Sequence, residues 1–330
     1  MGVFDKVLHF ICLPLVALSF LITPLTNDSR IYLGVEHIAA TYFPFPQGID
    51  LAWEIKPISN RLINYLFYKV GTFFVSFDNH FWFGVSVKLT ALILIVAVAW
   101  YFSRVIRVPL TFATVFITLT TMANFCTLQA EYWGVVFALL CIALIYKETR
   151  LSLFAAGLIL PFMALFKGVT SLLVITVFCA VFLLKEKPFE GIRQYLTLYR
   201  PVAAGMFFSL AFLIAAQLTI WPHMVSDAIM SPYLAHAANL GAFVWILGFV
   251  MQFIVLPFYL PAFAIGVVIG FYYLARIKYL NNAHITTAYA AMWVTPAIMV
   301  FLQGEFFVYQ FIGFAVPVVV TLVLAERCVS

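Results

Sequence analysis

Between Asn27 and Tyr65 the chain gathers Asp28, Arg30, Asp50, Glu54, Lys56 and Arg61, directly after its first apolar run and within a sequence that is otherwise almost wholly apolar. Cations fixed at a lipid–water boundary are well placed to hold a lipid phosphate, lysine as a compact charge and arginine as a planar fork. Lys56 and Arg61 flank the start of a short helix that begins at Pro57, a favoured first-turn residue, and runs through "PISNRLINYLFYKV". Along it Ile58, Leu62, Leu66 and Val70 recur every four residues with Ile63 and Phe67 beside them, while Asn60, Arg61 and Asn64 face elsewhere. This pattern predicts an amphipathic anchor in the membrane surface. An anchor alone does not require the two cations.

The same interval opens with "DSRIYLGVEHIAATY", in which Ile31, Val35 and Ile38 share one side of a helix and Arg30, Glu36 and His37 lie away from it. It reads as a second interfacial helix. Asp28 stands where its N-cap belongs, and capping and chemistry can coexist at one carboxylate. Farther on, "TLQAEYWG" sets Gln129 and Glu131 at the end of an apolar run, and "ALFKGVTS" sets Lys167 in a short turn between two others. Ionisable groups at membrane depth are costly and are usually paired or functional. Glu131 and Lys167 therefore form a structural ion pair, with each other or with Arg61, or they contact a ligand directly. "FLQGEFFVYQFIGFAVP" adds Gln303, Glu305, Tyr309 and Gln310, although its aromatics also suit an interfacial belt.

Metal and redox chemistry have little support. His37, His80, His223 and His236 are scattered without ligand spacing, and Cys12, Cys126, Cys141, Cys179 and Cys328 show neither CxxC nor CxxH patterns. No cofactor is predicted. Asp28 and Glu131 are the two carboxylates from which a divalent ion site would have to be built, and two isolated carboxylates are a weak signal. Lys88 lies within an apolar run and receives no role.

These residues must be positioned by a bilayer-embedded scaffold. The chain is 65% hydrophobic and only 9% charged, with a mean hydropathy of +1.08, against roughly 25% charged residues in soluble domains. A net charge of +5 would suggest nucleic acid only if clustered on a soluble face, and it is not. With about 20 apolar residues needed per crossing, spans are expected near 7–25, 82–102, 108–124, 129–146, 151–166, 168–184, 201–221, 242–276, 284–302 and 308–325. The first is read as a retained helix because no small-x-small cleavage pattern follows it.

Loop charge sets the count. If 242–276 crosses once, one face collects Lys6, Arg104, Arg107, Lys147, Arg150, Lys185, Lys187, Arg193, Arg200, Arg276, Lys278 and Arg327. The other keeps Arg30, Lys56, Arg61, Lys69 and Lys167. By the positive-inside rule both termini are cytoplasmic. The expectation is an all-α, polytopic integral membrane protein of about ten helices, a single transmembrane domain over 1–330. An outer-face loop at 26–81 carries two interfacial helices, and no separate soluble domain is expected. No GxxxxGK[ST] loop marks an ATP-driven transporter.

"DSRIY" after the first span, then "EIKPISNRLINY", then the late "QGEFFVYQFIGFAVP" resemble, in order and topology, elements of the GT-C superfamily of polyprenyl-phosphate-sugar-dependent glycosyltransferases. That superfamily includes lipid A aminoarabinose transferases and protein O-mannosyltransferases. The resemblance covers most of the membrane core. It departs at Lys56-Pro57-Ile58, where Lys-Pro-Pro is usual, at Glu305, where Lys is common, and in the expected lack of a soluble domain after the last helix. These departures leave subfamily, acceptor and metal dependence open.

The resemblance implies inverting transfer of a sugar from a polyprenyl- or dolichyl-phosphate donor to a glycan, lipid or protein acceptor at the outer face. Asp28 would take the acceptor's proton, and Lys56, Arg61 and Lys167 would hold the donor phosphate. Arg30, Tyr32, Glu54, Glu131, Gln303, Glu305 and Tyr309 would support substrate. A lipid-linked-sugar flippase or polytopic transporter is the second reading, motivated by the many spans and the interrupted 242–276 segment. A non-catalytic assembly subunit that retains the fold is the third.

Overall fold

The computed structural model describes residues 58–109, 130–164, 168–185, 192–220, 283–303 and 308–329, together with a few isolated positions. Every element among the described residues is helical. In chain order these are α1 (Ile58–Phe74), α2 (His80–Ile106), α3 (Ala130–Lys147), α4 (Arg150–Ala164), a 3-10 segment (Gly168–Leu172), α5 (Leu173–Lys185), α6 (Ile192–Ile220), α7 (Ala283–Gln303), a second 3-10 segment (Val308–Phe314) and α8 (Ala315–Val329). The expected crossings at 82–102, 129–146, 151–166, 168–184, 201–221, 284–302 and 308–325 fall on these helices. Those at 7–25, 108–124 and 242–276 lie outside the described residues except for single positions.

Among the described residues three segments are long and apolar enough to cross a membrane: His80–Ile106, Leu198–Ala215 and Ala283–Leu302. Tyr132–Lys147, Arg150–Ala164 and Thr170–Lys185 are shorter apolar helices. Two of the expected crossings differ in detail, because 168–184 and 308–325 each open with 3-10 backbone before becoming α-helical. A 3-10 segment rises about 2.0 Å per residue against 1.5 Å in an α-helix, so it lengthens a short helix at the cost of poorer hydrogen bonds.

The core is built around α3 and α8. From Tyr132 to Val136, and again from Phe311 to Ala325, every residue is buried, as expected of a helix that is apolar all round. α2, α4 and α5 surround α3, and the second 3-10 segment packs on its side. α2 is two-faced. Phe83, Val87, Ala91, Ile95, Ala99, Phe102 and Ile106 are buried, while Trp82, Leu89, Ile93, Val96 and Trp100 are exposed. Trp82 and Trp100 stand about 27 Å apart along the axis at 1.5 Å per residue, close to the hydrocarbon thickness that interfacial tryptophans bracket.

Among the described elements the α4–α6 contact is the most extensive. Gly157 and Gly205 make it possible. A Cβ on Gly157 would strike the Val202 carbonyl and stand 3.0 Å from Gly205 Cα, and one on Gly205 would strike the Phe154 carbonyl. Small residues that let backbones meet are the usual means of helix association where no water drives it.

One end of the bundle is tied by charge. Arg327, near the end of α8, donates to Leu184 O at 2.7 Å, to Ile106 O at 3.0 Å and to the Tyr146 hydroxyl at 3.3 Å. It thereby satisfies carbonyls left open at the C-termini of α5 and α2. Lys185 pairs with Glu148 in the tight α3–α4 turn, and Thr149 caps α4 through its hydroxyl, which accepts from Ser152 N at 3.2 Å. Arg104, Arg107, Lys147, Arg150, Lys185 and Arg327, all assigned to one face by loop charge, thus belong to helix ends that meet at one end of the bundle.

Candidate functional site

The opposite end is where the C-terminal half of α1, the first turns of α2 and α3, and both 3-10 segments meet. α1 and α2 form a hairpin through a short turn in which Asn79 N donates to Ser76 O at 3.1 Å and the Ser76 hydroxyl to Asp78 Oδ2 at 3.2 Å. Gly71 closes the hairpin: a Cβ there would lie 2.6 Å from the Phe83 ring and 3.1 Å from Val87 Cγ2. The Phe67 ring then reaches α3, its centre 5.0 Å from that of Trp133.

Leu173 joins the remaining parts. A Cβ on Gly134 would stand 3.1 Å from Leu173 Cδ1 and 3.6 Å from Thr170, and one on Gly313 would stand 2.7 Å from Met299, 3.4 Å from Pro296 and 3.8 Å from Leu173. The two glycines let the 3-10 segments close on the start of α3 and the end of α7. Thr170 is fully buried and its hydroxyl donates to Met163 O at 2.8 Å, tying the first 3-10 segment to the end of α4. Trp293 on α7 lies 6.2 Å from Phe314 by ring centres.

The elements carrying Glu131, Gln303 and Tyr309 therefore share this end: Glu131 is the second residue of α3, Gln303 ends α7, and Tyr309 is the second residue of the later 3-10 segment. Arg61 is in the first turn of α1, about 20 Å along that helix from its hairpin with α2, and is not brought to them. Asp28, Arg30, Tyr32, Glu54, Lys56, Lys167 and Glu305 lie outside the described residues. Among the described residues no three His, Cys, Asp or Glu side chains come together as a metal site.

α1 is turned differently from its sequence pattern. Asn64, Phe67, Tyr68 and Gly71 form its buried face, whereas Leu66, part of the expected apolar stripe, is half exposed. The physical reason is Gly71. Backbone approach at that position draws the residues three, four and seven before it against the bundle, and Leu66 is left on the outside. Burial, reinforced by Tyr65, holds the Tyr68 phenol above its ordinary range. Lys69 Nζ lies 5.4 Å from the Tyr65 ring centre.

Three polar residues at this end were not singled out by sequence reasoning. Asn64 is 2% exposed and Trp133 is 1% exposed, and the Asn64 amide oxygen and Trp133 indole nitrogen have no hydrogen-bond partner among the described residues. Lys88 is buried in the same stripe of α2 as Phe83 and Val87. Its level follows from the other end, where Lys147 Nζ lies 5.8 Å from the Tyr101 ring centre. Equal steps back along the two helices bring Lys88 level with Gly134, to within about a turn. Two signals pointed to these residues: Gly71 as a marker of close approach, and the position of Trp133 two residues after Glu131 in "AEYWG".

Comparison with protein-family models, with curated proteins and with solved structures found no match to the chain.

Proposed function

We propose that the chain is a membrane glycosyltransferase of the GT-C type, which moves a sugar from a polyprenyl- or dolichyl-phosphate donor to a glycan, lipid or protein acceptor at the outer face of the membrane. The observation that supports this reading is convergence. The elements bearing Glu131, Gln303 and Tyr309 meet at one end of an apolar bundle, and the cation-rich helix termini meet at the other.

The proposed topology is ten crossings, with both termini cytoplasmic and the reaction at the α1 end. The acceptor hydroxyl oxygen attacks the anomeric carbon, the bond from that carbon to the phosphate oxygen breaks, and polyprenyl phosphate departs with the electron pair. Attack from the side opposite the departing lipid inverts the configuration. Lys56, Arg61 and Lys167 stabilise charge growing on the phosphate. Asp28 takes the acceptor proton. Glu131, Gln303, Glu305 and Tyr309, with Arg30, Tyr32 and Glu54, orient donor and acceptor.

A flippase or transporter is the competing reading. It favours broken helices and polar groups near the midplane from both halves of the molecule, whereas both 3-10 segments here open at the same end of the bundle. Purified chain supplied with a radiolabelled polyprenyl-phosphate sugar and candidate acceptors should transfer label. Asp28→Asn should lower transfer by about 10²- to 10⁴-fold, the contribution of a positioned general base, while leaving donor binding intact. Accumulation of the lipid-linked sugar in the opposite leaflet of proteoliposomes, without covalent transfer, would establish the flippase instead.

A further inference from the structure

The Asn64 amide oxygen is a buried acceptor on α1 and the Trp133 indole N–H a buried donor on α3, two helices joined by the Phe67–Trp133 ring contact. Asn64 lies one turn before Phe67 on the buried face of α1, and the Phe67 ring stands 5.0 Å from Trp133 on α3. Neither atom has a hydrogen-bond partner among the described residues. Buried polar atoms in native proteins are nearly always paired, and an unpaired one costs much of its desolvation. One acceptor and one donor within reach of two aromatic rings match a sugar, whose hydroxyls both donate and accept and whose C–H faces pack on aromatic rings.

We infer that the α1–α3 contact is the sugar-recognition site of the lipid-linked donor, with α1 acting as a hinged cover. With the contact closed, Asn64 and Trp133 forgo their hydrogen bonds. When the headgroup arrives, α1 lifts from α3 by about the width of a sugar ring, and the amide and indole bond its hydroxyls. The hinge is the Ser76–Asn79 turn, and the described contacts of α1 beyond α2 are few beside those within the α3–α4–α6 core. The inference rests on the proposed use of lipid-linked sugars, but its test reads binding, not transfer.

Full-length chain in detergent is titrated with two probes, a polyprenyl-phosphate monosaccharide and the same polyprenyl phosphate without sugar. Wild type should bind the sugar-bearing lipid more tightly. Asn64→Leu and Trp133→Phe should each weaken that lipid by about tenfold and leave the sugar-free lipid unchanged. Asn64→Leu should also unfold no earlier than wild type without ligand, since it removes an unpaired buried polar group.

Unchanged affinity for the sugar-bearing lipid in both variants overturns the inference, as does equal weakening for both lipids or equal wild-type affinity for them. Early unfolding of ligand-free Asn64→Leu also overturns it, because the amide would then have a structural partner. Sugar-dependent binding with the expected mutant pattern but no transfer would remove the glycosyltransferase reading and leave this site standing.

Discussion

Arg327 shows how much one side chain can organise. Its guanidinium joins the C-termini of α2 and α5 through Ile106 O and Leu184 O, reaches the Tyr146 hydroxyl, and lies 5.7 Å from the Tyr146 ring centre. Arginine suits this task because its planar fork serves several acceptors at once and remains charged. Arg327→Met should therefore cost about 2–4 kcal/mol, two charge-assisted hydrogen bonds with partial exposure taken into account. Arg327→Lys should recover at most about half, because a single ammonium cannot span both carbonyls with the same geometry. The measurement is the unfolding midpoint in detergent. Full rescue by lysine would show that charge alone matters there.

At the level of elements, two contacts are set by glycine. Gly157 and Gly205 bring the α4 and α6 backbones together, and a Cβ at either position meets backbone, which cannot rotate away. Gly157→Ala and Gly205→Ala should each destabilise by about 1–3 kcal/mol as overpacking. The double variant should cost less than the sum, since one separation relieves both clashes. Denaturant titration of the four proteins tests this, and strict additivity would show that the two glycines do not share a contact.

α1 offers a second test at the same scale. Phe67 is fully buried and Leu66 is half exposed. Phe67→Ala should cost about 3–5 kcal/mol, and Leu66→Ala should stay within about 0.5 kcal/mol. The reverse order would restore the aliphatic face of α1 as the packed one.

For the whole molecule, the two ends differ in chemistry. Arg150 is exposed at the end tied by Arg327, and Asp78 is exposed in the α1–α2 turn at the other end. In sealed, right-side-out vesicles of a variant lacking the native cysteines, Asp78→Cys should react with a membrane-impermeant maleimide and Arg150→Cys should react only after permeabilisation. The opposite pattern, with Arg150→Cys labelled from outside and Asp78→Cys only after permeabilisation, would reverse the proposed orientation, and labelling of both from outside would break the pairing of the ends. The exterior between them is apolar, with Phe207, Phe208, Phe212 and Ile214 exposed on α6 and Trp82 and Trp100 on α2, as a lipid-facing surface should be.

Helical class and bilayer residence were legible in the sequence because both depend on the run length of apolar side chains, a local property, and seven expected spans accordingly coincide with helices. Among the described residues, Arg104, Lys147, Lys185 and Arg327 sit on helix termini that share one end. What the sequence left undecided was rotation about each helix axis and the backbone at helix entrances. Leu66 matched the amphipathic stripe, yet Asn64 is the residue drawn inward, because Gly71 permits a contact that hydrophobic period alone does not encode. The 3-10 openings at 168–172 and 308–314 have the same origin: Gly134 and Gly313 let three elements close on Leu173, and the backbone tightens to fit. Which polar atoms end up buried without partners is a property of the packed bundle. Tertiary contact therefore singled out Asn64 and Trp133.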